Sequence, residues 1–274
     1  MTLPPLAANA WLRWDVTRRL VPEQARTVLE IGCGGGGFGA RLSIGRDYLG
    51  VEPDEQSSST ARVRVTAAGA GGQVRTGTVE DVVDADRRFD LVCAFEVLEH
   101  LEDDGAALTS WVSRVRPGGW LLLSTPAFQA RYAAWDEVVG HYRRYEPEQL
   151  RALLEASGLV DVEVVVYGAP LGYPLEAARN ALGRRRLRRS HTAATSAPTA
   201  TSAPATSAPA AAAAPPDADT MQQLTSVSGR LFQPSGTVGG LLAQAGTAPF
   251  RLVQRRLPRS GTGLVARGRR PDAP

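Results

Sequence analysis

A run of glycines between residues 32 and 39 limits the possible folds of this chain more than any other feature. The run directly follows the apolar segment Thr27–Ile31, whose Val, Leu and Ile side chains predict a short buried β-strand. Glycines allow a tight turn and let a ligand come close to the backbone. A helix that begins in such a turn has free N–H groups at its first residues. The segment therefore predicts a strand, a ligand-binding turn and a helix in succession.

Segments with strand and helix patterns alternate along residues 27–166. The predicted strands are 27–31, 48–52, 73–75, 89–95, 120–124 and 160–166. The predicted helices are 57–68, 105–115 and 148–156. Pro147 suits the first turn of the last helix, and Gly158 suits its C-terminal cap. Alternation of this kind is typical of an α/β fold with a mostly parallel sheet.

Acidic residues beside the glycine run indicate which nucleotide it binds. Glu52 ends the second strand about 20 residues after the first, where a carboxylate can accept hydrogen bonds from ribose hydroxyls. Gly32, Gly34 and Gly37 fit the dinucleotide pattern G-x-G-x-x-G, so an NAD-dependent oxidoreductase is one alternative. Glu30 favours S-adenosylmethionine (SAM) instead. Its carboxylate suits the cationic amino group of the methionine part, and no pyrophosphate has to fit there.

Five segments in a fixed order resemble the successive motifs of class I SAM-dependent methyltransferases. They are 28–39, 50–53, 79–81, 89–100 and 116–122, and the resemblance covers about residues 25–167. It implies a Rossmann-like α/β fold with a seven-stranded, mostly parallel sheet, helices on both faces and a final antiparallel strand. It also implies an enzyme that moves a methyl group from SAM to a small-molecule or lipid-linked acceptor, with O-methylation favoured. A protein that binds SAM without catalysis is the second alternative.

The resemblance also implies cofactor-binding roles for residues in or after the first four strands. They are Glu30, Gly32, Gly34, Gly36, Glu52, Glu80, Asp81, Phe95 and Glu96. Glu30, Gly32 and Gly34 would hold the methionine part of SAM, and Glu52 would bind the ribose. Asp81, with the backbone of Glu80, would meet the adenine amino group. Phe95 and Glu96 would line the cofactor after the fourth strand.

The segment Glu96-Val97-Leu98-Glu99-His100 can supply catalytic groups. In a helical turn, its two carboxylates and its imidazole would point to neighbouring faces. The pattern E-x-x-E-H resembles that of the ubiquinone-pathway O-methyltransferases, where it implies a divalent-metal site that orients a catechol. The alternative, which we favour, is that Glu99 and His100 hydrogen-bond to loop backbone beside the cofactor. We therefore assign no metal ligand from the sequence.

A second cluster of polar side chains, Gly140 to Tyr145, lies between the fifth strand and the next helix. In this fold that connection passes over the edge of the sheet where ligands bind. The cluster resembles a G-H-x-R-R-[YF] stretch of a bacterial branch of these enzymes. Histidine titrates near neutral pH, so His141 is our candidate general base. Arg143 and Arg144 are candidates to bind a carboxylate or phosphate of the acceptor. The alternative is a loop brace in which an arginine pairs with Asp136 or Glu137.

The remainder of the chain predicts a long insertion. The last strand is predicted at 263–267, so the domains are a core at 1–170, an insertion at 171–260 and a final strand and tail at 261–274. Residues 190–219 repeat Thr-Ser-Ala-Pro and predict a disordered linker. The arginines between 184 and 189 suit either solvent or an anionic membrane surface, which would favour a lipid-linked acceptor.

Absent signals narrow the partners and the compartment. No Asn-Pro-Pro-Tyr or Asp-Pro-Pro-Tyr follows the fourth strand, and no basic face with interleaved aromatic residues is present, which disfavours a nucleic-acid acceptor. Cys33 and Cys93 lack metal-type spacing and predict reduced, buried thiols. Because no signal peptide is evident, we expect a cytoplasmic protein, with contact to the inner face of the membrane as the further possibility.

Overall fold

One β-sheet organises the part of the chain that the computed structural model describes, residues 3–69, 71–195 and 236–272. Its strands are Thr27–Ile31 (β1), Asp47–Glu52 (β2), Gly72–Thr76 (β3), Phe89–Phe95 (β4), Val115–Pro126 (β5), Val160–Gly168 (β6) and Gly261–Arg269 (β7). The helices are Ala8–Leu20 (α1), Gly39–Leu42 (α2), Glu55–Ala68 (α3), Val79–Val82 (α4), Asp104–Ser113 (α5), Ala134–Val139 (α6), Pro147–Ala156 (α7), Gly172–Thr195 (α8) and Gly236–Gln254 (α9).

The strand order is β3-β2-β1-β4-β5-β7-β6. Strands β1 to β5 pair in parallel, and β7 lies antiparallel between β5 and β6. The predicted Rossmann-like sheet with a final antiparallel strand is therefore confirmed. The order reverses between β1 and β4, and this reversal opens a crevice at the carboxyl ends of these two strands.

The central strands are apolar because both of their faces are covered. Along β4 every residue is buried, and its alternate side chains enter two different core clusters. Val92 belongs to the cluster on one face of the sheet, and Leu91 and Cys93 belong to the cluster on the other. A parallel strand that is covered on both faces reads as a continuous apolar run, which is why β1 and β4 were predictable.

Helix α1 was not predicted from the sequence. Its buried side carries Asp15 and Thr17 together with Trp11, Leu12 and Val16, so the apolar spacing of the helix is broken. It packs against α9, β6 and β7, and both carboxylate oxygens of Asp15 accept hydrogen bonds from Arg255, which directly follows α9. A carboxylate can be buried when an arginine compensates its charge. Because this arginine is distant in the sequence, local sequence patterns do not show that the carboxylate is buried.

The insertion between β6 and β7 contributes two helices, α8 and α9, to the described residues. Residues 190–195 of the predicted linker at 190–219 are the last residues of α8. The rest of that linker lies outside the described residues. No helix among the described residues is sufficiently long and apolar to cross a membrane.

Candidate active site

The glycine loop leaves β1 at the point where the strand order reverses. Gly32, Gly34 and Gly36 have φ values of 65°, 51° and 72°, which side chains rarely adopt. A Cβ on Gly34 would meet no atom within 4 Å, so this residue opens onto free space. A Cβ on Gly36 would instead lie 2.8 Å from the backbone of Ala61 in α3. Gly34 therefore borders open space, where its role in binding the cofactor stays a prediction, whereas Gly36 is required for close packing on α3.

Glu52 joins the end of β2 to the glycine loop. One carboxylate oxygen accepts a hydrogen bond from the backbone N–H of Gly34 at 2.8 Å. The other accepts from the N–H of Asp54 at 3.0 Å, and Asp54 in turn caps α3 through the N–H of Ser57. The carboxylate is therefore held rigidly beside the open space above Gly34, as a ribose-binding residue requires.

Glu30 lies beneath the loop instead of on its surface. Its carboxyl group is buried and accepts a hydrogen bond of 2.6 Å from the hydroxyl of Tyr48. Burial raises its pKa to about 8, so the group carries a proton at neutral pH. A direct contact of Glu30 with the methionine amino group stays a prediction, and the Tyr48 contact was not foreseen from the sequence.

The two acidic residues of α4 have local partners. Asp81 accepts hydrogen bonds from the hydroxyl of Thr78 at 2.7 Å and from its backbone N–H at 3.4 Å, so it caps the start of the helix. Glu80 is exposed and accepts a hydrogen bond of 2.8 Å from Ser110 in α5. Their assignment to the adenine stays a prediction, and the Glu80 side chain is turned toward α5.

Phe95 and Glu96 end β4 next to the glycine loop. The ring of Phe95 makes an edge contact with Phe38, which directly follows the loop, at 4.9 Å between centroids. Glu96 has a φ of 57°, a strained value for a residue with a side chain. Its carboxylate accepts a hydrogen bond from Ser124 at 3.0 Å and lies 2.8 Å from the guanidinium of Arg13. Arg13 also covers the ring of Phe38, so α1 brings a cation to this cleft.

Three side chains converge beyond Glu96. Ligand atoms of Glu99, His100 and His141 all lie within 4.8 Å of one another. Both carboxylate oxygens of Glu99 and Nδ1 of His100 are buried without a hydrogen-bond partner among the described residues. Burial and the nearby Glu96 raise the pKa of Glu99 well above its usual range, and burial and His141 lower the pKa of His100 to about 3. Glu99 and His100 therefore stay uncharged in this environment.

His141 is held by an acid behind it. Its Nδ1 lies 2.8 Å from Oδ1 of Asp136, while its Nε2 lies 3.9 Å from Oε1 of Glu99. Asp136 is fully buried, and both of its oxygens accept hydrogen bonds from Arg144, at 2.9 and 2.7 Å. The guanidinium of Arg144 also pairs with Glu176 of α8. The result is a chain of charges that runs from the insertion to His141.

These contacts correct two of the acceptor-binding assignments. Arg144 is buried between Asp136 and Glu176, so it is the loop brace that the sequence left open as an alternative. Arg143 pairs with Asp104 at 2.8 Å and donates to the carbonyl of Glu102, which fastens the loop to the start of α5. Neither guanidinium is available to an acceptor in this arrangement.

The residues present fit SAM and also fit a divalent cation. The open space above Gly34 and the fixed Glu52 carboxylate suit an adenosine with a free ribose. The carboxylate of Glu99 and the imidazoles of His100 and His141 are a donor set that transition-metal ions accept, and both Glu99 oxygens and Nδ1 of His100 have no partner among the described residues. Glu96, which the sequence pattern grouped with them, is instead occupied by Arg13 and Ser124.

Comparison with known proteins identifies the family that this fold and cleft define. The methyltransferase domain family matches residues 9–164, and the chain belongs to it. The protein is therefore a SAM-dependent methyltransferase, and the alternative of an NAD-dependent oxidoreductase is excluded.

Relatives of known name are ubiquinone biosynthesis O-methyltransferases. That of Methylobacterium nodulans is 32% identical over 171 residues, which cover 57% of this chain and 68% of the relative. That of another Methylobacterium strain is 33% identical over 175 residues, covering 58% and 70%.

Solved structures support the fold alone. Phosphoethanolamine N-methyltransferase 2 of Haemonchus contortus, in complex with SAM, is 15% identical with a TM-score of 0.53, covering 98% of this chain and 54% of that chain. The YcgJ protein of Bacillus subtilis is 15% identical with a TM-score of 0.55, covering 94% and 97%.

Proposed function

We propose that the enzyme transfers the methyl group of SAM to a hydroxyl group of a small-molecule or lipid-linked acceptor, with His141 as the base that takes the hydroxyl proton. The observation that carries this proposal is the contact of 2.8 Å between Nδ1 of His141 and Asp136, which fixes the imidazole with Nε2 on the side of Glu99, 3.9 Å from Oε1. The same proton-accepting arrangement, an imidazole oriented by a buried carboxylate, serves hydroxyl groups in other enzymes. The names of the Methylobacterium relatives agree with an oxygen acceptor.

In this proposal the protein mainly aligns the reactants. Bound SAM supplies a methyl group on a positively charged sulfur, which needs little further activation. The backbone of Gly34 and the carboxylate of Glu52 hold its adenosine, and Arg13 receives the methionine carboxylate beside Phe38. His141 holds the acceptor hydroxyl at its Nε2 and removes the proton as the oxygen attacks. Asp136 positions the imidazole.

A divalent cation would bind at Glu99, His100 and His141. Such an ion would occupy Nε2 of His141 and would itself lower the pKa of a coordinated hydroxyl, so it would replace His141 as the activating group. The protein would contribute the two partnerless oxygens of Glu99 and Nδ1 of His100, whose burial without partners is otherwise costly.

The experiment is methyl transfer from radiolabelled SAM to a panel of phenols and catechols, with matched amines and thiols as controls. We expect labelled methyl ethers from the wild type and a loss of about 100-fold or more in kcat for His141→Ala. Assays with chelator, and after addition of Mg²⁺ or Zn²⁺, show whether the site works with a bound divalent cation or without one. Labelled amines without ethers, or full activity of His141→Ala, would contradict the proposal.

We further propose that the insertion contacts an anionic membrane surface, which supports a cytoplasmic enzyme acting at the inner face of the membrane. Helix α9 exposes a stripe of large apolar side chains, among them Leu241 at 60% and Leu242 at 68% exposure. Exposed arginines, Arg256 and Arg259, follow it, and residues 236–260 contain no acid. Apolar side chains beside arginines are typical of helices that lie on anionic lipid.

Flotation with phosphatidylglycerol vesicles tests this contact. We expect the wild type to float, and a Leu241→Ser/Leu242→Ser variant, or one with the arginines at 184–189 replaced, to float less. Phosphatidylcholine vesicles are the uncharged control. No flotation of the wild type on either lipid would end the membrane proposal without affecting the methyl-transfer proposal.

A further inference from the structure

Helix α8, which lies in the insertion, turns one face toward the active-site loop. Glu176 on this face pairs with Arg144, and the amide oxygen of Asn180 accepts a hydrogen bond from the backbone of Trp135 at 3.3 Å. A Cβ on Gly183 would lie 2.8 Å from the backbone of α6, so the helix packs closely there. Residues three or four positions apart share a helix face. Arg179, three residues after Glu176, lies on this same inner face.

Arg179 carries a buried donor without a partner. Its Nε is buried and has no hydrogen-bond partner in the part of the chain that the structure describes. The groups that favour its charge are Glu96 and Tyr167, at the carboxyl ends of β4 and β6, and Glu176, which is itself paired with Arg131 and Arg144. Glu96 is already paired with Arg13, at 2.8 Å. Burial lowers the pKa of Arg179, as expected for a charge that has lost water without gaining a full partner.

We propose that Arg179 binds an anionic group of the methyl acceptor, a carboxylate or a phosphate, so that the preferred acceptor carries an acid group as well as the reacting hydroxyl. The inference rests on the proposed function, because it places the acceptor between Arg179 and His141. A guanidinium offers planar, paired N–H donors that match either anion, and a buried site strengthens the contact. Arg179 thus selects the acceptor, while His141 acts on it.

The test is calorimetric titration of the full chain, saturated with S-adenosylhomocysteine (SAH), with three probes that differ in one group. The probes are 4-hydroxybenzoate, 4-hydroxyphenyl phosphate and neutral 4-hydroxybenzamide. We expect at least one acid to bind about tenfold or more tightly than the amide, and the two acids show which anion the site prefers. Arg179→Gln should abolish the preference, and Arg179→Lys should restore part of it.

Arg88→Gln is the control, because Arg88 is an exposed arginine at the opposite end of β4. It should leave the preference unchanged, and melting temperatures show whether each variant folds. Equal binding of acids and amide by the wild type, or an unchanged preference in Arg179→Gln, would overturn the inference. Should Arg179→Gln fail to fold, the comparison of the wild type with Arg179→Lys decides. Failure of the wild type to bind SAH would instead contradict the proposed function itself.

Discussion

Oδ1 of Asp136 lies 2.8 Å from Nδ1 of His141, and the same carboxylate is gripped through both oxygens by Arg144. The acid is thereby fixed in place before any substrate arrives. Arg144 is fixed in turn by Glu176, which belongs to the insertion and lies 40 positions after Asp136 in the chain. The insertion therefore supports the candidate base through Arg144 and Asp136.

The first prediction concerns this pair. Asp136→Asn removes the acceptor that sets the imidazole tautomer and should lower kcat by about 100-fold or more, as removal of a general base does. It also leaves Arg144 with one partner fewer in a buried site, which should reduce stability by about 3 to 5 kcal/mol. SAH affinity should be unchanged, because Asp136 lies beyond the cofactor.

Steady-state kinetics and SAH titration at a temperature where the variant is folded separate these effects. Glu137→Gln, the neighbouring acid, is the matched control. Equal losses of kcat in the two variants would show that the His141–Asp136 contact does not serve the reaction.

The second prediction separates two glycines of the loop. Gly34→Ala places a methyl group in the open space, so SAH affinity should fall sharply, and the left-handed backbone should cost only about 1 kcal/mol of stability, less than the loss in Gly36→Ala, which adds a clash to the same strain. Gly36→Ala drives a methyl group into Ala61 and should destabilise the protein by about 1 to 3 kcal/mol. Thermal unfolding and calorimetry on both variants check this pattern. The reverse pattern would mean that the cofactor does not lie above Gly34.

The third prediction is a pH dependence of stability due to Glu30. Its pKa rises from an ordinary value of 4.5 to about 8 in the folded protein, because burial disfavours the charged form. The folded state therefore holds a proton that the unfolded state has released, and stability from this group declines as the pH rises from 4.5 to about 8. Glu30→Gln, which cannot ionise, should gain in melting temperature relative to the wild type across this range. A difference that is constant with pH would contradict the assignment.

The fourth prediction has the opposite sign and concerns the joint between α1 and α9. Burial alone would raise the pKa of Asp15, but hydrogen bonds from Arg255 and Arg18 outweigh it and lower the pKa to about 2, from 3.8. The stabilisation is complete above pH 3.8 and is lost as the pH falls toward 2. Asp15→Asn should thus lower the melting temperature at neutral pH, and the difference from the wild type should shrink in acid. An equal deficit at both pH values would refute the ion-pair account.

The sheet could be predicted from the sequence because its strands are local apolar runs. The apolar runs at β1 and β4 indicate buried strands, and the glycines after β1 indicate a ligand-binding turn. The fold and the class of cofactor could therefore be predicted from these segments alone. Helix α1 escaped prediction because Asp15 is buried against Arg255, a partner 240 positions away. No local pattern distinguishes such an acid from an exposed one.

The candidate site was only partly predictable, for a similar reason. The sequence indicated His141 and the E-x-x-E-H segment as separate possibilities, and the fold brings Glu99, His100 and His141 together. It could not show that Arg144 is enclosed, since Glu176 reaches it from the insertion. The role proposed for Arg179 could not be predicted for the same reason, because it depends on how α8 packs against the rest of the fold.

Calorimetric titration with SAH, with NAD as the control ligand, tests the central claim most directly. The wild type should bind SAH and should not bind NAD. Glu52→Ala, which loses the carboxylate beside Gly34, should bind SAH weaker by about 2 kcal/mol, or roughly 30-fold. Glu23→Ala, which removes an exposed acid, should bind as the wild type does. Binding of NAD instead of SAH, or SAH affinity that is unaffected by Glu52→Ala, would contradict the account of the cofactor site.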